Sequence, residues 1–436
     1  MSTEAGRGRG GCLLEIDGRP EMGHGEGPTG DRPRRRVALV TPVFSPSVGG
    51  AELNLRVVAL LLSKVAAVEV FTSKLNLTAG GPRVGGLASS PAFPFPVHYL
   101  PSVRLFGERL VLPLRLLGSL LRSSPDVVWT SNPSLTGDIA GLFALFRSKR
   151  WVVTYHGDVM KHKAYARPYT AFEHRHLRRA SSVICQGPRY AARLVAAGMS
   201  ARKVHAVVPG PGLGDGTPPE VPPTPEFERP GTDHPFLFVG GLDWARAYKR
   251  PELLLDAFAV ASSRHSDMVL WIVGEGDRRF FLEERARHLG LSAEKVRFLG
   301  QLTDAQLALK YRDAWALVLP STETEAFGIV TLEALNYGCP SILPDSTEAG
   351  EVLGGEGVAL TYDDRHAAGL ELALERMWTD SQLRARLSRR APDVARHFSW
   401  STAAPEIVNF ILARNPDSLT VPLGGELPPS YPADSR

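Results

Sequence analysis

Residues 320–340 read PSTETEAFGIVTLEALNYGCP. The apolar run Ala316–Leu319 precedes them, and after Gly328 the apolar positions Ile329, Leu332 and Leu335 recur at helical spacing. The segment therefore reads as strand, turn and helix, with Gly328 opening the helix. A helix N-terminus offers free backbone N–H groups and a partial positive charge, which favour a phosphate. Gly328 would let such a group approach the backbone closely. Glu325 and Glu333 stand at E-x7-E spacing with Phe327 and Gly328 between them. A helical side chain leans toward its helix N-terminus, so both carboxylates can face one ligand rich in hydroxyls. A pair of glutamates alone would read as surface; the strand before them and the Phe-Gly turn between them favour a site.

The same alternation extends along the chain. Before residue 211 the short apolar runs are Arg36–Thr41, Val68–Thr72, Val97–Leu100, Asp126–Thr130, Trp151–Tyr155, Ser182–Cys185 and Val204–Val208. After a Pro-rich break at residues 212–234 they resume as Phe236–Val239, Met268–Val273, Val296–Leu299, Ala316–Leu319, Pro340–Leu343 and Val358–Leu360. Apolar runs buried on both faces and separated by helix-length segments predict parallel sheets in α/β domains. The expected order is a disordered arm (1–35), a doubly wound Rossmann-like domain (36–210), a linker (211–234), a second such domain (235–394), a helix crossing back to the first domain (395–414) and a disordered tail (415–436). Ligands of such sheets bind at the carboxyl ends of the strands, so the main site is expected in the cleft between the two domains.

At 436 residues, 43% apolar and 22% charged, the chain is of ordinary globular composition. Its three cysteines, Cys12, Cys185 and Cys339, are far apart, which argues against a disulfide framework or a zinc finger. No run of about 18 residues lacks polar breaks and the first residues lack an apolar signal region, so a cytoplasmic protein is expected. The net charge of +4 hides a split. Residues 36–210 hold 22 Lys and Arg against 7 Asp and Glu, net +15, and residues 211–436 are net −11.

The E-x7-E segment resembles that of the retaining GT-B glycosyltransferases, in particular the large group-4 family. Other matches run through residues 36–414. Val48-Gly49-Gly50-Ala51-Glu52, between a strand and a helix, resembles the family's first glycine loop. Thr154-Tyr155-His156-Gly157-Asp158 resembles its His-containing loop. FLFVGGLDWARAYKRPELLLDAF, from Phe236, resembles its strand, Gly-Arg loop and Lys before a helix. Lys249 fits the Lys; Gly241 stands where the Arg is expected, and Arg246 or Arg250 is the candidate replacement. Gly274-Glu275-Gly276 resembles the turn after the next strand, Val296–Thr303 the loop beside the nucleotide base, and Phe398-Ser399-Trp400 the opening of the last helix.

The resemblance implies GT-B architecture and transfer of a sugar from a nucleotide-diphosphate donor to an acceptor hydroxyl, with retention of configuration. It implies a catalytic set of His156, Lys249 and Glu325. Donor binding falls to Gly49, Gly50, Gly241, Lys249, Glu325, Ala326, Phe327, Gly328, Ile329 and Glu333, with Glu325 on the sugar hydroxyls and Glu333 on the ribose. Asp158, Lys161 and Lys163 are the acceptor-side candidates. No metal ion or cofactor is expected, since no Asp-x-Asp pair occurs.

Leu105–Arg122 mixes Leu and Val with Arg109, Arg115 and Arg122. It reads as a basic, apolar helix able to lie on an anionic membrane, or as a core stripe with solvated arginines, and Pro113 weakens a continuous helix. The basic half is thus expected to meet an acceptor sugar, lipid or glycan, with peripheral placement on the inner membrane face, and no nucleic acid. Two rivals stand beside this reading: an epimerase of the same fold, and a basic binding module that has lost catalysis through Gly241.

Overall fold

The computed structural model describes residues 34–44, 50–75, 93–106, 110–132, 134–157, 166–211 and 234–413. Almost all of the expected arm, all of the tail and all but the first and last residues of the expected linker lie outside these. In chain order the first strands are β1 (Arg36–Val40), β2 (Ala67–Ser73), β3 (Val97–Leu100), β4 (Ser102–Phe106), β5 (Leu110–Pro113), β6 (Val127–Asn132), β7 (Arg150–Tyr155), β8 (Ser182–Cys185) and β9 (Val204–Ala206). The later ones are β10 (Phe236–Val239), β11 (Leu270–Val273), β12 (Val296–Gly300), β13 (Ala316–Val318), β14 (Ser341–Pro344) and β15 (Ala359–Tyr362).

Seven strands make one parallel sheet in the order β3-β2-β1-β6-β7-β8-β9, and six make a second in the order β12-β11-β10-β13-β14-β15. All thirteen apolar runs read from the sequence are these thirteen strands. β6, β8, β10, β11 and β14 are buried at every position. Such strands need cover on both faces, and each sheet has it. In the first sheet Val37, Leu39 and Trp129 face one core, and Ala38, Val40 and Val128 the other. In the second, Phe236 and Phe238 face one and Leu237 and Val239 the other.

The last helix, Trp400–Leu412, buries Trp400, Ala404, Ile407 and Phe410 in the core of the first sheet beside the helix Gly50–Leu62. The guanidinium groups of Arg35 and Arg150 donate to the carbonyls of Leu412 and Phe410 at its C-terminus, at 2.6 and 2.8 Å. Cations there satisfy the last unpaired carbonyls and complement the helix dipole.

The structure corrects the sequence at Leu105–Arg122. β4 and β5 pair antiparallel as a hairpin, and a helix begins only at Leu116, running to Ser123. The alternation Val103-Arg104-Leu105 and the apolar run Leu110-Val111-Leu112 suit strands, and Pro113 ends the second of them. The leucines then divide. Leu116 and Leu120 enter the core, while Leu114, Leu117 and Leu121 are about half exposed.

Candidate active site

In a doubly wound sheet the crevice opens where the strand order reverses. In the second sheet that point lies between β10 and β13. The loop after β10 carries Gly241 and Lys249, and the loop after β13 carries Glu325 and Gly328. Two segments more than seventy residues apart are thereby set side by side.

Lys249 Nζ donates to Glu325 Oε2 at 2.5 Å, and Ser321 Oγ donates to the same oxygen at 3.1 Å. Lys249 and Glu325 are only 9% and 8% exposed. Burial opposes the lysine's charge, but the carboxylate of Glu325 and the Tyr248 hydroxyl outweigh it, and the Lys249 pKa is raised. The lysine therefore keeps its charge beside the Glu325 side chain. The Lys249 stem lies against Gly240, where a Cβ would stand 2.8 Å from its Cδ.

The helix expected to open at Gly328 begins at Val330 and runs to Asn336. Gly328 precedes it with φ +76°, in the left-handed region that only glycine adopts at little cost. Phe327, buried, anchors this turn in the core, and Ala326 lies beside it partly exposed. Glu333 is buried on the helix and accepts from the Tyr311 hydroxyl at 2.7 Å. Burial, then the nearby Glu333 carboxylate, push the Tyr311 pKa far up, so the phenol keeps its proton and donates.

The first sheet contributes from the ends of β1, β7 and β8. Gly49, Asp158, Lys161 and Lys163 lie outside the described residues. Gly50 opens the helix Gly50–Leu62 and faces Ile329 across the two halves; a Cβ on Gly50 would stand 3.1 Å from Ile329 Cδ1. His156 follows β7, is 3% exposed, and has Gln186 Nε2 at 2.9 Å from Nδ1. With the amide donating, the ring proton sits on Nε2.

Sequence reasoning missed three residues here: Glu348 and Tyr190, which join the halves, and Gln186, which braces His156 within the first. The helix Pro188–Ala196 of the first half presents its N-terminus to Glu348 of the second. Glu348 accepts the backbone N–H groups of Arg189 and Tyr190 at 2.7 and 3.0 Å. Tyr190 passes its ring over Gly157 and donates its hydroxyl to the carbonyl of Glu323 at 2.8 Å. Gln186 holds His156. Gln186, Gly187 and Pro188 directly follow the strand run Ser182–Cys185, and that position was the available signal.

His156 and Gly157, Tyr190, Glu325 and Lys249 thus form one continuous set spanning both halves. Buried ion pair, glycine turns and a histidine at strand ends suit a polar, phosphate-bearing ligand held between the sheets.

Comparison with known proteins points the same way. The family model described as "Glycosyl transferases group 1" matches residues 225–394, and that described as "Glycosyl transferase 4-like domain" matches residues 49–210. A phosphatidyl-myo-inositol mannosyltransferase of Mycobacterium leprae is 33% identical over 172 residues, 39% of this chain and 44% of that protein. The match thus spans less than half the length of this curated relative. D-rhamnosyltransferase WbpZ of Pseudomonas aeruginosa is 28% identical over 248 residues, 56% of this chain and 62% of that one. Among solved structures, sucrose-phosphate synthase of Thermosynechococcus elongatus has a TM-score of 0.62 at 20% identity, covering 86% of this chain and 97% of its own. HepE of Anabaena, in complex with UDP and glucose, has a TM-score of 0.62 at 18% identity, covering 86% and 98%. At these identities the structures speak for the GT-B fold.

Proposed function

Because this chain belongs to the glycosyl transferases group 1 family, we propose that it moves a sugar from a nucleoside-diphosphate sugar to an acceptor hydroxyl, retaining the anomeric configuration. The observation that carries the reading is the buried Lys249–Glu325 ion pair at the switch point of the second sheet. A nucleoside diphosphate leaves with growing negative charge, and preorganised cations and N–H groups lower that barrier. Lys249 and the backbone around Phe327 and Gly328 supply them, without a metal ion. Glu325 holds hydroxyls of the donor sugar, Glu333 holds the ribose, and His156 borders the anomeric carbon or the acceptor. In a front-face transfer the bond from C1 to the phosphate oxygen breaks and the bond from C1 to the acceptor oxygen forms. The acceptor's proton passes to the leaving diphosphate.

The acceptor is read from the first half, where Leu114, Leu117 and Leu121 lie exposed beside Arg115 and Arg122. Apolar groups flanked by arginines suit an anionic membrane surface, so the acceptor is a hexose-accepting lipid or lipid-borne glycan. The phosphatidylinositol-directed relative supports that class. The attachment proposed is peripheral, on the inner membrane face; among the described residues no helix is long and apolar enough to cross a membrane.

Screening UDP-, GDP- and ADP-sugars for release of the nucleoside diphosphate, with and without phosphatidylinositol vesicles, tests the reading. Turnover of one donor, lost in Lys249→Ala and Glu325→Ala, is the expected result. Undiminished release by Glu325→Ala would show the site assignment to be wrong. Donor conversion that needs no acceptor would indicate an epimerase instead.

A further inference from the structure

We infer that Arg246 is a ligand of the donor diphosphate, its guanidinium laid across the bare backbone of Gly241 and held there by Asp243. The inference rests on the donor reading above and names further N–H donors for the phosphate oxygens, since Lys249 Nζ is already engaged by Glu325 at 2.5 Å.

Two arginines flank Lys249, and the structure separates them. Arg250 is committed to the protein: its Nε donates to the carbonyl of Pro320 at 2.8 Å, and Nη2 pairs with Asp364 at 3.3 Å. It braces the loop after β13 from behind. Arg246 is turned the other way, onto the glycine turn after β10. A Cβ placed on Gly241 would stand 2.6 Å from Arg246 Cδ and 3.2 Å from its Nε. The arginine stem therefore fills the space into which a side chain at position 241 would grow.

Asp243 fixes this pose in two ways. Its Oδ1 accepts the Arg246 backbone N–H at 3.0 Å, and its Oδ2 pairs with Nη1. Among the described residues the guanidinium meets no other hydrogen-bond partner, which leaves most of its five donors for a ligand. About a third of the side chain is exposed. Gly241, against which it lies, follows β10 at the switch point of the second sheet, which puts Arg246 on the crevice side of that turn. A planar guanidinium grips phosphate oxygens through two parallel hydrogen bonds, a geometry an ammonium cannot reproduce.

The test is a set of binding titrations with UDP, GDP and ADP, and with uridine, guanosine and adenosine, on wild type, Arg246→Ala, Gly241→Arg and the double variant. The wild type is expected to bind one diphosphate. Arg246→Ala should bind it about tenfold or more weakly, the loss expected for a charge-assisted hydrogen bond, with nucleoside affinity unchanged. Gly241→Arg alone, colliding with the Arg246 stem, should also weaken binding. Gly241→Arg with Arg246→Ala should recover most of it, because the second cation then enters the space the first vacates. Arg246→Ala binding the diphosphate as tightly as wild type, or losing nucleoside and diphosphate affinity equally, overturns the inference, as does failure of the double variant to recover. A wild type that binds none of the three diphosphates overturns the donor reading itself.

Discussion

The hydroxyl of Tyr190, on a helix of the first half, donates to the backbone carbonyl of Glu323 in the second at 2.8 Å, two residues before Glu325. The ring that carries it lies over Gly157, beside His156. Tyr190→Phe keeps the ring and deletes this bond. Stability should fall by about 1 kcal/mol, the usual net worth of one hydrogen bond, and release of the nucleoside diphosphate should slow several-fold as the Glu325 loop loosens. Urea melts and initial rates check this. Rates equal to wild type would show that the Glu325 loop does not depend on Tyr190.

Lys249 and Glu325 should behave as a unit. Removing one partner strands a buried charge, at a cost of about 3–5 kcal/mol. Lys249→Ala and Glu325→Ala should each destabilise strongly, and Lys249→Ala with Glu325→Ala should cost clearly less than the sum of the two. A double-mutant cycle from denaturant midpoints measures the coupling; additive losses would mean that the two charges do not interact.

Glu348 predicts a pH dependence. Burial, outweighing the two backbone N–H donors, raises its pKa from 4.5 to about 7. The folded state then holds a proton that the unfolded state releases above about pH 4.5. Stability from this group is present below pH 4.5 and declines as pH rises to about 7, by about 3 kcal/mol. Chemical denaturation of wild type and Glu348→Gln at pH 5 and pH 8 reads the difference. The variant should show the smaller change between the two pH values, and an unchanged slope would assign the dependence elsewhere.

The half-exposed Leu117 and Leu121 offer a direct test of membrane attachment. Replacing both by Gln touches no core residue, so stability should stay within about 0.5 kcal/mol of wild type. Sedimentation with phosphatidylglycerol vesicles at low salt should fall several-fold. Equal sedimentation of variant and wild type would remove this face from the membrane reading.

The sequence by itself determined the two parallel sheets and the neighbourhood of the site. Strands such as Trp151–Tyr155 and Phe236–Val239 are apolar at nearly every position, and only cover on both faces makes such a run stable. His156, Lys249 and Glu325 were candidates through the family resemblance, and the strand runs that precede them agree with ligands of such sheets lying beyond strand ends. The hairpin at Ser102–Pro113 was less legible, because its leucines and arginines also fit a helix face and only the pairing partner settles the period.

What the tertiary structure decided is which side chains meet. Lys249 and Glu325 are 76 positions apart and touch only because β10 and β13 are neighbours in the sheet. The choice between Arg246 and Arg250 turned on direction, one lying over Gly241 and the other braced against Pro320. Glu348 carries no motif; its meaning comes from the helix end it caps across the two halves, with Arg189 and Tyr190 brought to it. Periodicity reports which face of a segment is buried. It carries no record of what is buried against it, since that depends on strand order and on how the halves close.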